Sequence, residues 1–151
     1  MTEPYRLLIT GSRDWSDGPT IWKALAEIAR ALPLERDLVM IHGACPTGAD
    51  QMADEWGRGF GATIEDRPAD WDHCIDACPQ GHRKPKRPGD VVHPGVCADY
   101  CPSAGPRRNH EMVRLGADVC LAFLTPASRG GAQTARLAER AGIPVRRFTT
   151  P

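Results

Sequence analysis

Short apolar runs that end in glycine alternate with helix-spaced apolar positions through most of this chain. "YRLLITG" (5–11) and "DLVMIHG" (37–43) are too short for helices and close on glycine, so both predict buried strands. "ATIEDRP" (62–68) predicts a third strand. Between the first two, Asp17-Gly18-Pro19 signals a turn and a helix start. Ile21, Leu25, Ile28, Ala29 and Leu32 then recur at helical spacing. A second helix is predicted from Thr47, with Met52, Ala53, Trp56 and Phe60 on one face. Its start, Thr47 to Asp50, resembles a capping box with Asp in place of Glu. Beyond residue 106 the pattern predicts a short helix over 107–116, a strand over 118–124, a helix from about 131 and a last strand in "PVRRF". Strands alternating with helices imply an α/β fold. Its central parallel sheet carries helices on both faces, joined by right-handed crossovers.

Residues 70–106 break this rhythm. They carry Pro79, Pro85, Pro88, Pro94, Pro102 and Pro106 and almost no periodicity. So long a structureless stretch is unusual in a compact domain, and something must order it. The same stretch holds Cys74, Cys78, Cys97 and Cys101 with His82 and His93, whereas Cys45 and Cys120 stand apart. In a reducing compartment such a cluster reads as a metal site before a disulfide frame. Zinc takes four tetrahedral ligands, so six candidates compete for one site.

Composition changes the picture only by exclusion. Lys plus Arg and Asp plus Glu both number 19, so net charge points to neither nucleic acid nor membrane. No run approaches the roughly 18 apolar residues of a membrane span. The first residues, "MTEPYRLLITGS", lack the basic and apolar regions of a signal peptide, which gives the expectation of a cytoplasmic protein.

The chemistry concentrates in three loops that the predicted fold places at the carboxyl ends of strands, where parallel sheets bind ligands. They are "GSRDW" (11–15), "HGACPTGAD" (42–50) and "TPASRGGAQT" (125–134). Glycine lets a backbone approach closely, and a helix start offers unpaired N–H groups and partial positive charge that suit phosphate. Arg13 and Arg129 add charge; Ser12, Thr47 and Thr134 offer hydroxyls; Asp50 suits a ribose hydroxyl. The structural alternatives are tight turns at the glycines and simple capping by Thr47 and Asp50. Trp15 reads equally as a base-stacking residue or as core. The spacing matches neither a Walker loop nor the Gly-x-Gly-x-x-Gly fingerprint.

"ITGSRDW", "IHGACPTGAD", "RRNHEM" and "SRGGAQTA", in this order, resemble the YspA-related branch of the SLOG superfamily over nearly the whole chain except about 72–104. That resemblance implies a Rossmann-like three-layer sandwich over residues 1–151, with the Cys/His/Pro-rich stretch 70–106 inserted in it. It implies binding of a nucleotide or nucleotide-derived ligand, as a sensor or a nucleotide-processing domain. The implied pocket is lined by Gly11, Ser12, Arg13, Gly43, Gly48, Asp50, Gly130, Gly131 and Thr134, with Arg129 beside the double glycine. Arg108 and Asn109 would reach it from the helix after the insertion. Relatives of this superfamily include the lonely-guy phosphoribohydrolases and the DNA-processing protein DprA. The former place a catalytic Glu where this chain has Leu137, so binding is preferred to catalysis. Insertions with "CP-x-GH" and a later "YCP" are similar to those of the family. They favour Cys74, Cys78, His82 and Cys101 as a structural zinc site, with Cys97 and His93 in reserve. Two further readings stay open. One is an N-glycosidic phosphoribohydrolase using Asp50 or Asp14. The other is a nucleic-acid-binding module using the basic run "HRKPKR" (82–87), which reads equally as a solvated surface. A homodimer is implied by resemblance alone.

Overall fold

The computed structural model describes residues 3–150. Five strands form one parallel sheet in the order β3-β2-β1-β6-β7. They are β1 (Tyr5–Gly11), β2 (Leu38–His42), β3 (Thr63–Asp66), β6 (Val119–Leu124) and β7 (Val145–Thr149). The two remaining strands, β4 (Lys84–Pro85) and β5 (Asp99–Tyr100), form a separate antiparallel ladder. The helices are α1 (Gly18–Ala31), α2 (Ala49–Phe60), α3 (Ala104–Arg114) and α4 (Arg129–Arg140).

The strands are nearly continuous apolar runs because both faces of the sheet are covered. Successive side chains point to opposite faces. Leu7 and Ile9 therefore pack with Ile21 and Leu25 of α1 and Ala53 of α2 on one side. Leu8 packs with Met112 and Val113 of α3 and Ala138 of α4 on the other. The result is the expected Rossmann-like three-layer sandwich. Strand order reverses between β1 and β6, and the loops after these two strands diverge to opposite faces and leave a crevice.

Helix boundaries differ from the sequence pattern in instructive ways. Asp17 caps α1 as its turn signal predicts, accepting from the Thr20 N–H at 3.2 Å. Thr47, by contrast, caps nothing. The cap of α2 is Gly48, at φ 77°, with no side-chain bond. The Ala49 N–H instead donates to the Ser12 carbonyl at 3.1 Å. A Cβ on Gly48 would overlap that same carbonyl, so the close approach of two loops, beyond the turn itself, requires glycine there. α3 starts at Ala104, before the predicted 107, because Pro106 in a first turn costs no helical hydrogen bond. α4 starts at Arg129, which puts Gly130 and Gly131 inside its first turn. Phe60, expected on the apolar face of α2, stacks on Trp56 and stays half exposed.

Candidate functional site

The crevice at the switch point is a cavity of about 400 Å³, within the range of small-molecule sites. Ten of the twelve sequence-predicted residues line it: Gly11 at the end of β1 with Ser12 and Arg13 after it; Gly43 after β2; Asp50 in the first turn of α2; Arg108 and Asn109 of α3; and Arg129, Gly130 and Gly131 of α4. Gly48 and Thr134 do not. Gly48 shapes the β1 loop from behind, and the fully buried Thr134 donates its hydroxyl to the Gly130 carbonyl at 3.1 Å. Thr47 is not among the lining residues either. Trp15 is core: it is 3% exposed, sits edge-on to Phe123, and donates its indole N–H to the Asp17 carbonyl.

The walls are pre-set by polar bonds within the protein. The Ser12 N–H donates to the Phe123 carbonyl at 2.8 Å, and Ser12 Oγ accepts from the Thr125 N–H at 2.7 Å. Thr125 in turn donates its hydroxyl to Asp14. These bonds tie the β1 and β6 loops together. A Cβ on Gly131 would lie 2.8 Å from Ser128 Oγ, 2.9 Å from Leu124 Cδ2 and 3.1 Å from Gly11 Cα, so this glycine lets α4 close onto β1. Gly130 meets nothing nearer than Asn109 Nδ2 at 4.0 Å and faces open space.

Asp50 is the most informative side chain. It is 5% exposed, and its Oδ2 accepts from the Gly43 N–H at 3.1 Å and the Cys45 N–H at 3.4 Å. Its Oδ1 is buried with no partner among the described residues. Leaving a buried acceptor unsatisfied costs about 1–3 kcal/mol, more for a charged one. A polar group from outside the chain would relieve that cost. The neighbouring Cys45 thiol is held above its usual range, first by burial and then by the Asp50 charge, so it is a neutral thiol near pH 7. Arg108 spans the site: its guanidinium donates to the Gly43 and Arg67 carbonyls, and Asn109 Oδ1 accepts from its Nε at 2.9 Å. Among the described residues no carboxylate pairs with it.

Sequence reasoning missed the support behind the β2 loop. His42 is buried, shares a 2.7 Å bond with Asp54 through Nε2, and accepts from the Ala44 N–H at Nδ1. That bond holds Ala44 in the left-handed region at φ 57°, which few non-glycine residues adopt. His42 stands inside a quoted motif, but only its strand register shows that it points behind the loop.

The second centre lies beside the first. Cys74, Cys78, His82 and Cys101 bring their ligand atoms within 4.8 Å of one another. Cys74 Sγ is 3.1 Å and Cys101 Sγ 3.4 Å from His82 Nε2, and Cys78 Sγ is 3.8 Å from Cys101 Sγ. A tetrahedral ion with bonds of about 2.0–2.3 Å holds donors roughly 3.3–3.8 Å apart, so this set is able to hold a metal ion. Burial pushes the Cys101 thiol up, but Arg107, whose Nη1 lies 3.5 Å from its sulfur, and the neighbouring thiols outweigh it, bringing it down to about 6. Cys97 and His93 lie outside the set. The Cys97 N–H donates to Asp72, and His93 bonds Asp90 and stacks on Tyr100 at 3.6 Å. The basic run is partly spent internally: Arg83 pairs with Asp99 at 2.8 Å and donates to the Asp72 carbonyl.

The fold and this edge define a SLOG-type Rossmann domain. The model of the YspA, cpYpsA-related SLOG family matches residues 5–73, and the chain belongs to that family. It is 40% identical over 148 residues to the gene 61 protein of Mycobacterium phage D29, covering 95% of each chain. Among solved structures it is similar to the Moco carrier protein of Chlamydomonas reinhardtii. There the TM-score is 0.58 at 17% identity, over 99% of this chain and 79% of that one, a likeness of fold. Leu137 packs against the α3 side of the core and is not among the residues lining the cavity. Among the described residues no helix is long and apolar enough to cross a membrane.

Proposed function

We propose that the crevice binds a nucleotide or nucleotide-derived small molecule, and that the Cys/His set holds one structural zinc. The observation that supports the first reading is the buried Oδ1 of Asp50, without a partner among the described residues, on a side chain that lines the cavity together with the first turn of α4. A carboxylate acceptor at one end suits a sugar hydroxyl. Free N–H groups at a helix start, with Arg13, Arg108 and Arg129, suit a phosphate at the other. The zinc reading follows from the donor chemistry: three thiols and an imidazole, all from the protein, leave no open position for catalysis. When bound, the metal supplies folding free energy to a segment with little core of its own. Hydrolysis is the weaker reading, because Asp14 is engaged by Thr125 and Asp50 by two backbone N–H groups.

Thermal denaturation with matched nucleosides and 5′-monophosphates tests the proposal. A monophosphate present at 100 times its Kd should stabilise the fold by about 2.7 kcal/mol, and its nucleoside less. Unchanged melting with all four nucleotides, offered as monophosphates and as triphosphates at millimolar concentration, would refute ligand binding of this class. Release of free base during the incubation would favour the hydrolase instead.

A further inference from the structure

A second cavity, of about 540 Å³, adjoins the first. The two share Arg13, Arg108, Asn109, Arg129 and Gly130 as a common wall. The second is closed by the Cys/His-rich segment, through Trp71, His93 and Tyr100, and by Arg136 of α4. Four arginines thus converge on it: Arg13, Arg108, Arg129 and Arg136. No Asp or Glu lines it, and none of the four arginines is ion-paired among the described residues. Elsewhere in the chain arginines find carboxylates readily, as Arg6, Arg58, Arg83 and Arg147 do. Four uncompensated guanidinium groups around one groove repel one another, and a multivalent anion removes that repulsion.

Taking the nucleotide reading above as its basis, we infer that the ligand is a nucleotide with at least two phosphoryl groups, its distal phosphoryls lying in this second cavity. The direction of the chain of groups follows from the walls. Asp50 lines only the first cavity and suits the sugar, the start of α4 borders both, and Arg136 lines only the second. A sugar at Asp50 and a first phosphoryl at Gly130 leave any further phosphoryl nowhere to go but the arginine groove. A nucleic-acid strand is the less favoured occupant. Lys84, Lys86 and Arg87 of the basic run line neither cavity, so that run does not extend the groove.

Calorimetric titration of the metal-loaded protein with the four ribonucleoside monophosphates and the corresponding triphosphates, in magnesium-free buffer, tests this. Metal content is measured before and after, so that stripping by triphosphate is visible. For the base that binds, the triphosphate should bind at least tenfold more tightly than the monophosphate. Arg136→Gln, at an exposed helix position where Gln is well tolerated, should remove most of that advantage and leave monophosphate affinity within about twofold. Arg140→Gln, on the same helix but lining a different cavity, should leave the ratio unchanged, which separates local contact from net charge. Equal affinity for mono- and triphosphate, or equal losses for both on Arg136→Gln, would overturn the inference and leave the nucleotide reading standing. No binding of either would remove the nucleotide reading itself. Displacement of triphosphate by oligo(dT), with steep salt dependence, would assign the groove to nucleic acid.

Discussion

The carboxyl edge of the sheet and the Cys/His-rich segment meet along one helix and are held by opposite means. Adjacent residues of α3 serve the two: Arg107 approaches the sulfurs of Cys78 and Cys101 at 3.4 and 3.5 Å, and Arg108 donates to the Gly43 and Arg67 carbonyls. The edge is held by the sheet. Its loops follow strands whose side chains are almost wholly buried, and backbone bonds such as Ser12 N–H to Phe123 C=O fix their shape. The segment has only a small core of Trp71, Cys101 and Ala104, and one ladder of two-residue strands. A preformed site and a metal-ordered wall therefore differ in what destroys them.

The largest difference is expected on metal removal. Cys78→Ser takes one donor from the set, so metal should fall from about one ion per chain to near none, and the segment over residues 70–102 should become protease-sensitive. Far-ultraviolet circular dichroism should change little, because neither core cluster on the two faces of the sheet contains a residue of the segment. Cys97→Ser should keep the metal. If Cys78→Ser instead unfolds the sheet, the two regions are one cooperative unit and the contrast fails.

A middle-sized effect is expected at Asp50. Asp50→Ala strips the acceptor from the Gly43 and Cys45 N–H groups and should cost about 2–3 kcal/mol in urea unfolding, with metal content unchanged. Asp50→Asn is near-isosteric and turns one acceptor into a donor. It should cost less stability and still weaken monophosphate binding about tenfold, or 1.4 kcal/mol. Unimpaired binding in Asp50→Asn would mean that Oδ1 meets no ligand hydroxyl.

This contrast also explains what the sequence made legible. Strands such as "YRLLITG" and their glycine-ended loops obey local rules, so the sheet and ten of the twelve candidate edge residues followed from pattern and resemblance. Of the twelve, Gly48 and Thr134 fall outside the lining: Gly48 caps α2, where Thr47 was expected to, and Thr134 turns inward to bond Gly130. Within the segment the choice among six ligands came from resemblance to the family. Trp71, His93 and Tyr100, with ring centroids 3.6–6.0 Å apart, were invisible because no periodicity links them. Their contact depends on the path of an irregular chain, and that path is set by side chains distant in sequence.

The smallest effect separates two reasons for adjacent glycines. Gly131 closes α4 onto β1: a methyl there meets Gly11 Cα at 3.1 Å, together with Ser128 and Leu124, and Gly11 cannot withdraw without moving the strand. Gly131→Ala should therefore lose about 1–3 kcal/mol by overpacking, and any lost affinity would follow from a shifted helix. Gly130 has no such neighbour and is not at positive φ. Gly130→Ala replaces a poor helix former in a first turn, so stability should hold or rise by up to about 1 kcal/mol. Its methyl nonetheless projects beside the wall shared by the two cavities, where the proposed phosphate rests. Affinity for the monophosphate should then fall about tenfold while the nucleoside loses much less. Because Gly130→Ala does not weaken the fold, a loss confined to the phosphorylated probe has no explanation in stability. Unchanged affinity in this variant would show that no phosphate lies against the start of α4, and Gly130 would need no glycine at all.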